Sequence, residues 1–251
     1  MQDFQEKTAL VTWSSSWLWR AICNQLAQRW ANVFAVARST QSWLHKNITP
    51  VIADIRNTEE IRNIYNRLDA QAGHIDLLIN NAGIWHTWNV ADLTDEDISN
   101  VISTNLVGMI QITRESVRRM LKQDNWGNIV FISSLAGKMA FPGLSIYSAT
   151  KFWTEGFVEA LNRENDDHEK IRTTVVHPGM IRTNFFENAG MPEVAEQFNQ
   201  KLQDPQYVAE RVLESILANK KEITIGKDRR IISLLRFLPK KLVFKLLPYL
   251  T

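Results

Sequence analysis

Residues 7–38, KTALVTWSSSWLWRAICNQLAQRWANVFAVAR, hold two short strand-like runs, TALVT and NVFAVA, on either side of a helical-looking segment. A strand, a helix and a second strand within about 30 residues is the size of a parallel βαβ unit. The turn between the first strand and the helix reads TWSSSWLW, residues 12–19. It carries three tryptophans where a tight connection of this kind is ordinarily built from glycine.

Five more β-branched runs follow: TPVIADI, IDLLIN, NIVFIS, TTVVHP and EITIG. Seven strands alternating with helices predict an α/β chain with a Rossmann-like, doubly wound, mostly parallel seven-stranded sheet and helices on both faces. Helix start signals support the alternation. Asn57 or Thr58 precedes Glu59 and Glu60, and Thr94 stands three before Asp97 in the form of a capping box. No linker or repeat interrupts residues 1–226, so a single domain is expected there, with residues 227–251 as a separate tail.

The 29 basic and 27 acidic residues of the 251 nearly cancel, to a net +2, which gives no reason to expect a nucleic-acid partner. Cys23 is the sole cysteine, so a buried thiol in a reducing, cytoplasmic setting is expected rather than a disulfide. Five scattered histidines without ligand spacing predict no metal site. The first strand begins near Lys7, which leaves no room for a signal peptide, and no stretch reaches the roughly 18 apolar residues of a spanning helix.

In an open parallel sheet, ligands bind beyond the carboxyl ends of the strands, where chain order switches direction. Those ends are informative here. Asn81, Ala82 and Gly83 follow IDLLIN; STNLVG contains Asn105; Ser133 and Ser134 follow NIVFIS; Tyr147 and Lys151 lie in YSATK; Pro178 and Gly179 follow the last long run. Taken in this order the motifs resemble the classical short-chain dehydrogenase/reductase family, and the likeness spans residue 7 to about 226.

Tyr147 and Lys151 are four apart, so on a helix they share one face. A tyrosine ordinarily titrates near ~10, too high for proton transfer at neutral pH, and an adjacent ammonium favours the phenolate. Lys151 is therefore expected to tune Tyr147. The resemblance implies that Tyr147 is the general acid or base at a carbonyl or alcohol oxygen, that Ser134 hydrogen-bonds the same oxygen, and that Asn105 holds a water linking Lys151 to solvent. Ser133 is the alternative serine. His177 has no role in the family pattern.

The same resemblance assigns the cofactor contacts. Thr12, Ser14, Ser15, Ser16 and Leu18 form the phosphate turn; Asp54 and Ile55 meet the adenine; Asn81, Ala82 and Gly83 meet the ribose. Tyr147 and Lys151 flank the nicotinamide ribose, and Pro178, Gly179 and Thr183 lie by the carboxamide. The second strand ends with Ala37 where an NAD-preferring site needs a carboxylate, and Arg38 follows it. An arginine there can fork onto a 2′-phosphate, so NADP(H) is favoured over NAD(H).

The family's first turn is T-G-x-x-x-G-x-G, and Trp13, Trp17 and Trp19 occupy its three glycine positions. Bulk forced into such a site costs ~1–3 kcal/mol or more each time. Trp30, Trp43, Trp85, Trp88, Trp126 and Trp153 also stand where glycine would be unremarkable. The chain has 10 glycines and nine tryptophans in 251 residues. Reading every tryptophan as glycine brings glycine to a usual ~7%. Bacterial codes differ in whether UGA specifies tryptophan or glycine, so a systematic misreading of UGA glycine codons is the expectation. Taken literally, the letters instead describe a degenerate dehydrogenase fold that binds no dinucleotide and serves as a scaffold.

The segment from Thr183 to Tyr207 falls where the family places a variable substrate cover, and Phe185, Phe186 and Met191 suggest an apolar wall. The expected substrate is a small ketone, aldehyde or secondary alcohol with some apolar bulk. Residues 227–251 hold seven basic side chains and one acid among many leucines. Such a segment, particularly 228–251, suits an anionic surface at the inner membrane face, or equally packing against another subunit or over the substrate cleft. The family resemblance implies a homodimer or homotetramer.

Overall fold

The computed structural model describes residues 3–12, 17–39, 45–85, 89–165, 170–182 and 202–226. Seven strands form one sheet: β1 (Thr8–Thr12), β2 (Asn32–Ala37), β3 (Ile48–Ile52), β4 (Leu77–Asn80), β5 (Gly127–Ile132), β6 (Ile171–Pro178) and β7 (Glu222–Ile225). Their order is β3-β2-β1-β4-β5-β6-β7. Every pairing is parallel. The central strands β1, β4 and β5 are buried at every residue, the pattern of a sheet covered on both faces.

The described helices are α1 (Trp17–Gln28), α2 (Thr58–Gln71), α3 (Asp95–Ile102), α4 (Met109–Met120), α5 (Ser145–Glu164) and α6 (Pro205–Leu217). The start signals act as the sequence predicts. The Asn57 side chain accepts from the amides of Glu59 and Glu60 at the start of α2. Thr94 and Asp97 close a reciprocal capping box at α3. Pro205 begins α6 after Asp204, whose carboxylate accepts from two amides of the first turn.

Two cores flank the sheet. On one face Trp19, Ile22 and Leu26 of α1 cluster with Val208, Val212 and Ile216 of α6. On the other, Ile61, Tyr65 and Leu68 of α2 cluster with Ile112 of α4 and Val158 and Leu161 of α5. Ile64 in this second core is fully buried, and its truncation to Ala carries a cost of ~2–5 kcal/mol. Cys23 is a buried free thiol, and burial pushes its pKa up, as expected of a packing residue.

Strand β1 pairs with β2 on one side and β4 on the other. The chain runs outward from β1 to β3 and then restarts at β4, so the switch point lies between β1 and β4. At such a switch point the ligand crevice of an open parallel sheet lies beyond the carboxyl ends of the strands, and Thr12, Asn81 and Ala82 meet there.

Helix α1 ends in a Schellman motif. The Trp30 amide donates to the Ala27 carbonyl and the Ala31 amide to the Leu26 carbonyl, each over 3.1 Å. Trp30 occupies the left-handed position of that motif at φ 63°. Glycine is the usual residue there because it has no Cβ to clash.

Candidate active site

The floor of the crevice is tied across the switch point by Thr12. Its hydroxyl accepts from the amides of Asn81 and Ala82, each over 3.1 Å, and donates to the Ile79 carbonyl. The Asn81 side chain returns a bond to the Thr12 carbonyl at 3.3 Å. The NNAG turn therefore leaves β4 in one fixed direction.

Asn105 lies in a single π-helical turn, Ser103–Gly108, between α3 and α4. Such turns are uncommon and often mark functional sites. Its side-chain oxygen accepts from the Ile84 amide and its nitrogen donates to the Ile84 carbonyl, both over 2.7 Å. The nitrogen also donates to Thr150 Oγ1 at 3.2 Å. Asn105 thus clamps the NNAG loop to α5, and its side chain is committed to protein partners. Gly108 lets the turn approach: a Cβ there would stand 2.7 Å from the Ile55 carbonyl oxygen.

Ser134 leaves β5 in extended conformation, and its hydroxyl accepts from the Ala136 amide at 3.1 Å. The fallback serine is turned elsewhere: Ser133 Oγ donates to Glu155 Oε1 at 2.9 Å. Tyr147 and Lys151 project from α5 on one face, with the ammonium 5.6 Å from the phenol ring centre. Lys151 Nζ donates to the Ile132 carbonyl at 2.8 Å, which fastens α5 to the end of β5. Gly83 closes the group; a Cβ there would lie 3.5 Å from Asn105 Oδ1 and 3.7 Å from Lys151 Nζ.

Burial dominates the proton chemistry. It pushes the Tyr147 phenol up to about 12, and a hydrogen bond with Ser134 works in the opposite direction. Lys151 is pushed down to about 8 by burial, with Glu155 pulling it back up. The expected lowering of the phenol by Lys151 is thus opposed by desolvation, which disfavours charge on both groups.

The outer residues are placed less closely. Arg38 is exposed just past β2. It contributes to holding Asp54 below the usual carboxylate range, but the larger cause is Arg56. Arg56 grips Asp54 through Nε and Nη2 at 3.0 and 2.6 Å. Pro178 ends β6, and the Gly179 amide donates to the Ile225 carbonyl at 2.9 Å. Leu18 is buried in α1. Ser14, Ser15, Ser16 and Thr183 lie outside the described residues, as do Trp13, the segment 183–201 and the tail 227–251. Among the described residues no cluster of side chains could hold a metal ion, and no helix is long and apolar enough to cross a membrane.

Sequence reasoning missed Arg56, Thr150 and Glu155. Thr150 falls inside YSATK, three residues after Tyr147, and donates to the Tyr147 carbonyl at 2.8 Å while accepting from Asn105. Its position within the motif was a usable signal. Nothing in the local sequence announces the pairing of Arg56 with Asp54.

The nicotinamide side of a dinucleotide suits this crevice: at Gly83 the backbone passes close to Asn105 and Lys151 without a side chain, and Asn81 is held at its floor. The phosphate side does not fit as written. Helix α1 begins at Trp17, half exposed where a pyrophosphate would meet the free amides of a helix start, and Trp19 is packed into the core below.

Comparison with known proteins agrees with the geometry. A family model described as short chain dehydrogenase matches residues 7–193. The chain is 33% identical over 181 residues to dehydrogenase/reductase SDR family member 7B of Xenopus tropicalis, covering 70% of this chain and 58% of that protein. It is 30% identical over 197 residues to an NADP-dependent 3-hydroxy acid dehydrogenase of Schizosaccharomyces pombe, covering 74% of this chain and 75% of that protein. Its fold matches a 3-ketoacyl-(acyl-carrier-protein) reductase from Brucella melitensis, solved with NADH, at a TM-score of 0.79 and 21% identity, over 88% of this chain and 97% of that one. With the matched region spanning six of the seven strands, the switch point and the Tyr147–Lys151 pair, the chain belongs to the short-chain dehydrogenase family.

Proposed function

We propose that this protein interconverts a carbonyl and a secondary alcohol, with NADP(H) preferred, and that Asn105, Ser134, Tyr147 and Lys151 form its catalytic centre. The observation that carries the reading is the connected set of contacts joining Ser134 to Tyr147, Tyr147 to Lys151 and Lys151 to the end of β5. A bound NADP(H) would supply or accept the hydride, with Tyr147 and Lys151 flanking its nicotinamide ribose. Tyr147 gives its phenolic proton to the carbonyl oxygen in reduction, or takes it in oxidation. Ser134 holds that oxygen beside the phenol. Lys151 steadies the phenolate that forms, and Asn105 holds the NNAG loop against it. NADP(H) preference rests on Ala37 and exposed Arg38 at the end of β2.

This function requires a passable phosphate turn, and we propose that the nine tryptophans are glycines encoded by UGA. The reading is supported by Trp30, which adopts the left-handed backbone that glycine favours, in a motif that glycine usually completes. Trp30 and Trp153, at 62% and 64% exposed, serve no core, whereas Trp19 and Trp85 are buried, so the reading rests on the backbone at Trp30 and not on exposure. The gene sequence tests it. UGA at the nine positions is the expected result, and UGG codons there would refute it.

The scaffold alternative is the weaker reading, because the side chains that a degenerate site would be free to lose are present and gathered at the same strand ends. An NADPH-oxidation screen over carbonyl compounds, run on protein carrying glycine at residues 13, 17 and 19 with Tyr147→Phe as control, tests the activity. Oxidation that persists in the control removes Tyr147 from its role. The basic tail 227–251 is read as a membrane-surface or subunit contact, and vesicle binding by the full chain and by a chain ending at 227 separates the two.

A further inference from the structure

Behind the catalytic serine lies a second, charged cluster that the reaction scheme leaves unused. Glu155 stands on α5 one turn beyond Lys151. Its Oε1 accepts from Ser133 Oγ at 2.9 Å, and its Oε2 meets Lys138 Nζ at 3.4 Å. Lys138, just past the short turn that carries Ser134, also reaches Glu222 of β7 at 3.0 Å. His177 of β6 is completely buried between them. Its Nδ1 lies 3.5 Å from Glu155 Oε1 and 3.3 Å from the Ser134 carbonyl, and its Nε2 lies 3.6 Å from Glu222.

We propose that Glu155 is a positioning residue for the Ser134–Tyr147–Lys151 centre: its carboxylate clamps the strand end that bears Ser134 to the helix that bears Tyr147 and Lys151, and its charge supports the ammonium form of Lys151. The first part is geometric. One carboxylate gathers Ser133 from β5, Lys138 from the turn after it and His177 from β6, so the backbone around Ser134 is held from three sides. Gly137 makes room for the clamp, because a Cβ there would stand 2.7 Å from Ser133 Oγ and 3.1 Å from the Lys151 carbonyl.

The second part is electrostatic. Residues four apart on a helix are neighbours, and Lys151 is buried, where an opposite charge is weakly screened. The groups facing Lys151 are Tyr147 and Glu155 on its own helix, the carbonyl of Ile132 on β5, and Asn105 beyond Gly83. Glu155 is the sole acid in that set. Its own charged neighbours are Lys138 and His177, with Glu222 behind them. Burial favours neutral His177, opposed by Glu155 and Glu222, so Lys138 is the main counterweight to the carboxylate at neutral pH.

This inference rests on the oxidoreductase reading for its consequence, and its test does not depend on turnover. Carbon-13 NMR of lysine side chains in the full chain reports the titration of Lys151, assigned by its loss in Lys151→Arg. Glu155→Gln keeps an acceptor for Ser133 and removes the charge; the Lys151 midpoint should fall by about half a pH unit or more. Glu155→Asp should stay close to the parent. Lys138→Met should move the midpoint upward; loosening of the structure would relieve burial and raise the midpoint in either variant, so the fall in Glu155→Gln is the sign that loosening does not produce.

An unchanged midpoint in Glu155→Gln, or a fall in Lys138→Met, overturns the proposal. Should Glu155→Gln fail to fold by circular dichroism, Glu155→Met, which also removes the charge, takes its place and the same fall is required. In glycine-restored enzyme, Glu155→Gln should lower kcat below pH 8 with KM for the carbonyl unchanged, and Glu155→Asp should recover most of the loss. Absence of NADPH oxidation in that parent enzyme would count against the oxidoreductase reading and would leave the NMR result standing.

Discussion

Lys151 Nζ donates to the carbonyl oxygen of Ile132 across 2.8 Å, which joins the helix of Tyr147 and Lys151 to the end of the strand that leads into Ser134. Helix and strand are separate in sequence, and this bond sets their distance. The ammonium also sits where burial lowers its pKa to about 8.

A pH dependence of stability follows from that value. The folded-state pKa lies below the ordinary 10.5, so between about 8 and 10.5 the unfolded chain binds more protons at this residue than the folded one. The penalty is therefore fully present below about pH 8 and is relieved as pH rises. Urea denaturation should show a Lys151→Met variant gaining relative to the parent below pH 8, by up to roughly 3 kcal/mol. The difference should close by pH 10.5. A difference independent of pH would contradict the assignment.

Tyr147→Phe removes the proton donor and the hydroxyl bonded to Ser134. In glycine-restored protein, carbonyl reduction should drop by about 10²- to 10⁴-fold. Stability should change by only about 1 kcal/mol, the usual worth of one hydrogen bond. Steady-state kinetics beside urea denaturation read both.

Trp30→Gly should stabilise the chain by about 1 kcal/mol, since a left-handed residue with a Cβ is strained by roughly that amount. The exposed indole loses little on removal beyond a contact with Lys46, whose ammonium lies 5.3 Å from the ring centre. Thermal unfolding of the two proteins side by side measures the difference.

Gly108→Ala should act in the opposite direction. The added methyl would stand 2.7 Å from the Ile55 carbonyl and 2.9 Å from Ile55 Cγ1, and a backbone oxygen cannot rotate aside. A loss of ~1–3 kcal/mol is expected, read by urea denaturation.

The doubly wound sheet was legible because each strand is a short β-branched run bounded by helix caps, and the parallel order follows from strand–helix alternation. Asn105, Ser134, Tyr147 and Lys151 were legible as ordered motifs. The structure adds that Asn105 spends its side chain on Ile84 and Thr150. It also adds that burial raises the Tyr147 phenol, with Ser134 opposing it. Neither could be read in advance, because desolvation depends on what the fold packs around a group and leaves no local pattern. The Glu155 cluster was hidden for the same reason: Ser133, Lys138, Glu155 and His177 come from four segments that only the sheet brings together. Trp30 shows the converse case, where an odd letter in the sequence met an odd backbone angle in the fold.

The central claim is that this crevice holds a dinucleotide once its phosphate turn is glycine. A fluorescence titration with NADPH, run on the chain as written and on the chain carrying Trp13→Gly, Trp17→Gly and Trp19→Gly, tests it most directly. The account predicts no saturable binding for the first and clear saturable binding for the second. Tight binding by the chain as written, or none by the glycine form, would contradict it.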